Sequence, residues 1–120
     1  MIVESGGDMA YFLLSANQNI SESLRTKINS SIKDSGARIM RNDFYACDKF
    51  DVIERLTKIN ISVQIIVGDK HQITPLRYAS FLQDHLPNAD RVIIEAGIHI
   101  IFAEQPYLVN NKIQGFLVSL

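Results

Sequence analysis

Apolar residues recur with a helical period in the first part of the chain. Leu24, Ile28 and Ile32 follow one another at a spacing of four residues, after a capping Ser21 and before Gly36. A serine cap, a single apolar stripe and a terminal glycine are together typical of an amphipathic helix. The pattern therefore predicts a helix from Ser21 that stops at Gly36.

Two further segments show helical patterns. Residues 8–16 are rich in apolar side chains and fit a short buried helix or a strand equally well, and we expect a helix. Residues 48–58 place Phe50, Ile53 and Leu56 three positions apart with charged residues between them. This spacing predicts a second amphipathic helix.

The period changes in the second half of the chain. Two short β-branched runs, at residues 63–67 and 91–95, are typical of strands buried on both faces. Between them Thr74 and Pro75 predict a helix start, with Thr74 as the N-cap and Pro75 as the first helical residue, and Pro106 predicts the start of a final helix. A strand, helix, strand order of this length implies a right-handed crossover and two parallel strands.

Composition limits the classes of partner. The 120 residues include 12 Lys and Arg against 13 Asp and Glu, so the formal charge of -1 predicts neither a nucleic-acid nor an anionic-membrane partner. No apolar run reaches the roughly 18 residues of a membrane span. A single cysteine and the lack of a leader-like start predict a cytoplasmic protein of one domain, residues 1–120.

Four segments form a distinctive series in their order and spacing: residues 43–51 (DFYACDKFD), residues 65–70 (IIVGDK), Thr74-Pro75, and the stretch from Ile94-Glu95 through His99 and Glu104 to Pro106. The series resembles the C-terminal part of α/β-hydrolase-fold serine hydrolases and covers most of the chain. The resemblance implies a truncated α/β-hydrolase fold with two parallel strands and helices on both faces. It assigns residues 1–58 to a mostly helical, lid-like part and residues 59–120 to a βαβα part.

The serine nucleophile of that family is not found in this sequence. Such enzymes carry it in a G-x-S-x-G turn, which exposes the hydroxyl beside the oxyanion hole. None of the ten serines lies in that motif, and the nearest match, Ser5-Gly6-Gly7, lacks the preceding glycine. The resemblance therefore implies that the half of the fold bearing the nucleophile is missing from this chain.

The other two members of the catalytic triad match only in part. The acid of the family lies three residues after the glycine that ends the penultimate strand, and this chain has His71 there. An imidazole cannot supply the buried negative charge that orients a triad histidine, although Asp69 is an alternative acid. His99 matches the triad histidine, with Ile98 in place of the usual preceding glycine. His99 also fits a buried structural histidine.

We expect no cofactor and no metal. His71, His85 and Asp69 are potential metal ligands, but no H-x-x-x-H or C-x-x-C spacing is present. Two or three isolated donors of this kind do not define a metal site.

The predicted function follows from the parts of the α/β-hydrolase fold that this chain lacks. Two parallel strands do not form a stable sheet alone, and an open edge is a template for pairing. We expect a homodimer or higher homo-oligomer without hydrolase activity by itself, acting as a self-associating or binding protein. One alternative is a hydrolase subunit in which His99 completes a triad with a nucleophile from a separate chain, or in which the oligomer assembles a new site around His71 and His99. Another is a small-ligand module with a wall formed by Met9, Phe12, Leu13 and Phe44.

Overall fold

The structure is a computed structural model, and it describes residues 19–120. These residues fall into two compact units, one ending at Asp51 and the other spanning Val52–Leu120, and each is described by itself. The helix expected at residues 8–16 lies outside the described residues. The single domain expected for the chain stays a prediction.

The first unit is dominated by one long helical segment. Helix α1 spans Glu22–Lys49, and the Ser21 side chain accepts a hydrogen bond from the backbone N–H of Leu24 at 3.3 Å, which confirms the predicted cap. Gly36 has φ 75° and ψ 156°, outside the helical region, so the helix is interrupted at the predicted stop. Helical structure then resumes and continues to Lys49.

The continuous helix predicted over residues 48–58 is wrong. The chain leaves the helical conformation at Phe50, with φ -77° and ψ 112°, and then forms a 3-10 helix at Ile53–Lys58. A spacing of three residues fits a 3-10 helix as well as an α-helix. Only Leu56 of the three spaced apolar residues is buried, whereas Phe50 is 72% exposed and leaves the stripe.

The second unit is built on two parallel strands, as predicted. Strand β1 spans Val63–Gly68 and β2 spans Ala89–Ile94, and their register runs from Val63 opposite Ala89 to Gly68 opposite Ile94. The N–H of Val63 donates to the carbonyl of Asn88 at 2.9 Å, which closes the sheet at its amino end. The β-branched runs therefore located both strands.

Three helices accompany the strands. Helix α2 spans Leu76–His85, the short α3 spans Ile101–Glu104, and α4 spans Pro106–Val118 with its proline in the first turn, as predicted. The predicted N-cap at Thr74 is wrong, because the cap position of α2 is Pro75 and no side chain caps it. Helix α3 was not predicted. No helix among residues 19–120 is long and apolar enough to cross a membrane.

The helices cover both faces of the sheet, in agreement with the predicted fold class. Arg91 of β2 donates a hydrogen bond to the hydroxyl of Ser80 on α2. Side chains alternate between the two faces of a sheet, so Ile66 of β1 points to the face opposite that of Arg91. On that face Ile66 lines a cleft with Val109 and Ile113 of α4. Helices α2 and α4 thus lie on opposite faces.

The core of this unit takes one buried apolar side chain from nearly every element. These are Leu56 of the 3-10 helix, Val67 of β1, Ala79 of α2, Ile94 of β2 and Val109 of α4. Ile94 is the most deeply buried, at 1% exposure. Burial of Ile94 therefore anchors the end of β2.

Two glycines allow the segments after β1 and β2 to approach each other closely. A Cβ on Gly68 would overlap the backbone carbonyl group of Gly97, and a Cβ on Gly97 would lie 2.9 Å from the Cα of Gly68. The N–H of Lys70 donates to the Gly97 carbonyl at 2.9 Å, and the N–H of Asp69 donates to that of Ile94 at 3.1 Å. Glycine at these positions is thus required by space.

We expect Gly68→Ala to lower the free energy of unfolding by about 1–3 kcal/mol, because the added methyl meets rigid backbone. Gly115→Ala is the matched control. A Cβ at Gly115 meets nothing within 4 Å, and replacing this helical glycine should raise stability by about 0.5–1 kcal/mol. Urea denaturation measures both changes. A Gly68→Ala protein as stable as the unchanged chain would contradict the close approach.

Candidate active site

The residues matched to a catalytic triad lie at one edge of the sheet. The carboxyl ends of parallel strands meet at the same edge, which is where open α/β sheets bind ligands. His71 lies three residues after the end of β1, and His99 lies in the segment between β2 and α3. The close approach at Gly68 and Gly97 draws these two segments together.

The two histidines are in direct contact. Nε2 of His71 lies 3.1 Å from Nδ1 of His99, and the rings are nearly perpendicular, with an interplanar angle of 84°. In a Ser-His-Asp triad the acid bonds the same Nδ1 atom of the histidine. The structure therefore brings the predicted acid position and the predicted triad histidine together, with an imidazole in place of the acid.

Thr74 fixes the ring of His71. Its backbone N–H donates a hydrogen bond to Nδ1 of His71 at 2.9 Å. Its hydroxyl oxygen lies 3.2 Å from Nδ1 and 3.1 Å from Nε2 of the same ring. This contact is the physical reason why the Thr74 hydroxyl is not the cap of α2.

Glu104 holds the segment that carries His99. One carboxylate oxygen accepts a hydrogen bond from the N–H of Ile98 at 2.8 Å, and the other accepts one from the N–H of Ile100 at 3.2 Å. These two hydrogen bonds therefore fix the backbone on both sides of His99. The sequence pattern indicates no role for Glu104. The only available signal was a carboxylate within five positions of a histidine in a segment of unknown conformation.

Both histidines titrate below the ordinary value of 6.5. Burial is the main cause that lowers the pKa of His99, against the opposing charge of Glu104. The pKa of His71 is lowered by burial and then by repulsion from His99, again opposed by Glu104. Near neutral pH the pair is uncharged.

A cleft of about 400 Å³ opens beside the pair. Its wall is mostly apolar and comes from β1, α3 and α4, with the two histidines and Thr74 as its polar members; the apolar residues are Ile66, Val67, Ile101, Phe102, Val109 and Ile113. Of the residues predicted to form a pocket wall, Met9, Phe12 and Leu13 lie outside the described residues. Phe44 belongs to α1.

The remaining candidate residues do not join the pair. The Asp69 carboxylate lies 3.9 Å from the Lys70 ammonium, and its other oxygen is buried without a hydrogen bond in the described part of the chain. His85 stacks on Phe81 within α2. Across residues 19–120, no group of three or more potential ligand side chains is arranged to hold a metal. Ser5 lies outside that range.

The fold is that of an α/β-hydrolase-like protein. The chain matches the structure of a thermophilic esterase with a TM-score of 0.81 and 26% identity, over 97% of this chain and 47% of the esterase. It matches the structure of a serine hydrolase involved in carbazole degradation with a TM-score of 0.73 and 18% identity, over 100% of this chain and 51% of that one. The chain therefore has part of the α/β-hydrolase fold, as the sequence resemblance predicted.

A curated relative supports the same assignment. The chain is 30% identical to 3-oxoadipate enol-lactonase 1 of Acinetobacter baylyi over 99 residues, which are 82% of this chain and 37% of the enol-lactonase. No family model matches the sequence. The chain thus spans about half the length of the esterase and of the serine hydrolase, and less than half the length of the enol-lactonase.

We expect stability to fall as the pH is lowered through about 6.5. The unfolded chain takes up protons at the ordinary histidine pKa of about 6.5, whereas folded His71 and His99 take them up only at lower pH. The unfolded state therefore binds more protons in this window, so the free energy of unfolding decreases until the pH is below both folded pKa values.

Urea denaturation at a series of pH values measures this slope. The double variant with His71→Gln and His99→Gln serves as the control and should lose stability less steeply, because His85 is then the only histidine left. An equally steep decline in the double variant would assign the effect to other groups.

Proposed function

We propose that this chain is an α/β-hydrolase-like binding protein that does not hydrolyse esters by itself and that associates with a second copy of itself. The observation that carries the first part is the contact of His71 with His99, which puts a neutral ring where a triad needs a carboxylate. The observation that supports the second part is the outer edge of β1.

Catalysis by His99 lacks two groups. The imidazolium that forms during acyl transfer needs a negative charge at Nδ1, and loss of that charge costs about 10⁴-fold in kcat in serine proteases. His71 provides no such charge, and burial lowers the pKa of His99, which disfavours its protonated form. The nucleophile motif is also not found in the sequence.

Self-association is supported by backbone that has no partner strand within residues 19–120. The sheet there has two strands, and β1 pairs with β2 along only one side. Unpaired N–H and C=O groups on a strand edge favour pairing with another chain. Two copies related by a two-fold axis would pair β1 with β1 in an antiparallel manner and form a four-stranded sheet of ordinary size.

Exposed apolar side chains are also present in the same unit. Ile61, just before β1, is 72% exposed, and Val118 at the end of α4 is 83% exposed. Tyr107 and Leu117 of α4 are also exposed. Exposed apolar side chains mark interaction sites where they form a contiguous patch.

We expect a stable dimer in sedimentation experiments at micromolar concentration, and we expect Gln64→Pro to make it monomeric. Backbone groups alternate sides along a strand, and because the N–H of Val63 points toward β2, that of Gln64 points to the outer edge. Proline removes this outer donor and leaves the bonds to β2 in place.

Gln64→Thr keeps the N–H and is the matched control, which should remain dimeric. Urea denaturation shows whether the proline variant is still folded. A monomeric unchanged chain, or a folded proline variant that stays dimeric, would contradict pairing through β1.

A second candidate is a hydrolase subunit that uses His99 with a nucleophile from another chain. It is favoured by the position of His99, whose Nδ1 faces the acid position. The names of the similar proteins, an esterase, an enol-lactonase and a serine hydrolase, point to the same chemistry.

We expect the isolated chain and its His99→Ala variant to release p-nitrophenol from p-nitrophenyl acetate at the same background rate. His71→Asp should not create turnover either, because the nucleophile is still missing. Burst kinetics and mass spectrometry of the protein detect any acyl-enzyme. A rate that falls in His99→Ala, or an acyl adduct in His71→Asp, would favour the enzyme over the binding protein.

A further inference from the structure

The hydrogen bonds around His71 determine which of its nitrogens carries the proton. The backbone N–H of Thr74 can only donate, so Nδ1 of His71, at 2.9 Å, must accept with its lone pair. A neutral imidazole has one proton, which then resides on Nε2. Protonation of both nitrogens would oppose two N–H groups at this contact, in agreement with the lowered pKa of His71.

The hydroxyl of Thr74 does not compete for that proton. Its oxygen is almost equally far from both ring nitrogens, at 3.2 Å and 3.1 Å. An oxygen at such a position cannot lie in the plane of the ring, because Cε1 occupies the space between the nitrogens. The hydroxyl therefore lies over the ring face, out of line with the Nε2–H bond.

The proton of His71 sets the state of His99. Nε2–H of His71 points to Nδ1 of His99 at 3.1 Å, so this Nδ1 is the acceptor. The single proton of neutral His99 is then on its Nε2. A general base in a serine hydrolase has the opposite tautomer, with Nδ1 protonated and Nε2 free to accept the serine proton.

His99 lines the cleft, so its Nε2–H is the donor that a molecule bound there would meet. Within residues 19–120 the ring of His99 makes its hydrogen bond to His71 through Nδ1 rather than Nε2. The wall is otherwise mostly apolar, and its volume of about 400 Å³ suits a small molecule. The nearby negative charge of Glu104, which acts on both histidines, disfavours an anionic ligand.

We propose that Thr74 and His71 hold His99 as its Nε2–H tautomer, so that the cleft binds a small apolar molecule through a neutral carbonyl oxygen. The tautomer of His99 does not depend on whether the chain self-associates or on esterase activity. Its failure would therefore be distinct from failure of either part of the proposed function.

Long-range ¹H–¹⁵N NMR correlations of the labelled full chain test the tautomers, at a pH above the ordinary histidine pKa of about 6.5. We expect His71 and His99 to show a protonated Nε2 and an unprotonated Nδ1. His85 is an internal control with the opposite tautomer, because its Nδ1 lies 2.8 Å from the carbonyl oxygen of Phe81, which can only accept. A protonated Nδ1 on His99 would overturn the proposal.

The variant His71→Glu tests whether His71 is the cause. A carboxylate only accepts hydrogen bonds, so His99 should change to the Nδ1–H tautomer while the signals of His85 stay unchanged. If His99 kept its proton on Nε2 in the folded variant, His71 would not be the residue that positions it, and the proposal would be wrong.

Ligand binding is tested with three probes of similar shape: phenylacetone, propylbenzene and phenylacetate. We expect phenylacetone to shift the Nε2 and Hε2 signals of His99 and to bind about three- to tenfold more tightly than propylbenzene, the range that one hydrogen bond provides. Phenylacetate should bind more weakly than phenylacetone. Equal affinity for phenylacetone and propylbenzene, or His99 signals unmoved by phenylacetone, would overturn the assignment of the ligand.

Discussion

The close approach of Gly68 and Gly97 is the constraint on which the site depends. Neither position has room for a Cβ, and the backbone bond from Lys70 to Gly97 fixes the segments after β1 and β2 against each other. His71 and His99, 28 positions apart in the sequence, consequently meet at 3.1 Å. Burial of Ile94 at the end of β2 holds one side of this junction in place. The geometry of the pair is thus a property of backbone packing.

The carboxylate of Glu104 lies near the histidines, but it binds the backbone and not the imidazole of His99. Glu104 accepts hydrogen bonds from the backbone on both sides of His99 and so fixes the segment rather than the imidazole. The atom that an acid would contact, Nδ1 of His99, faces His71 instead. A change of one side chain of the pair changes the groups that the same fold offers for chemistry, which is why fold alone does not establish activity.

The sequence predicts those features that depend on short-range pattern. The β-branched runs located both strands, and Ser21 and Pro106 located two helix starts, because caps and periodicity are local. The prediction of Thr74 as the N-cap of α2 was wrong because in the folded chain its N–H and hydroxyl contact the His71 ring. Helix propensities do not include such a contact with another side chain. The hydrogen bonds between Glu104 and the backbone beside His99 depend on the conformation of a segment that has no regular apolar pattern. The contact of His71 with His99 was implied by the family resemblance, not by spacing.

The open edge of β1 and the cleft are neighbours within the second unit, since Ile66 belongs to β1 and also lines the cleft. Strands that pair with β1 extend the sheet beside that residue, so their side chains at the same edge would border the cleft. A chain that paired with β1 would therefore also help to define what the cleft accepts. The proposed self-association and the proposed ligand cleft thus share strand β1.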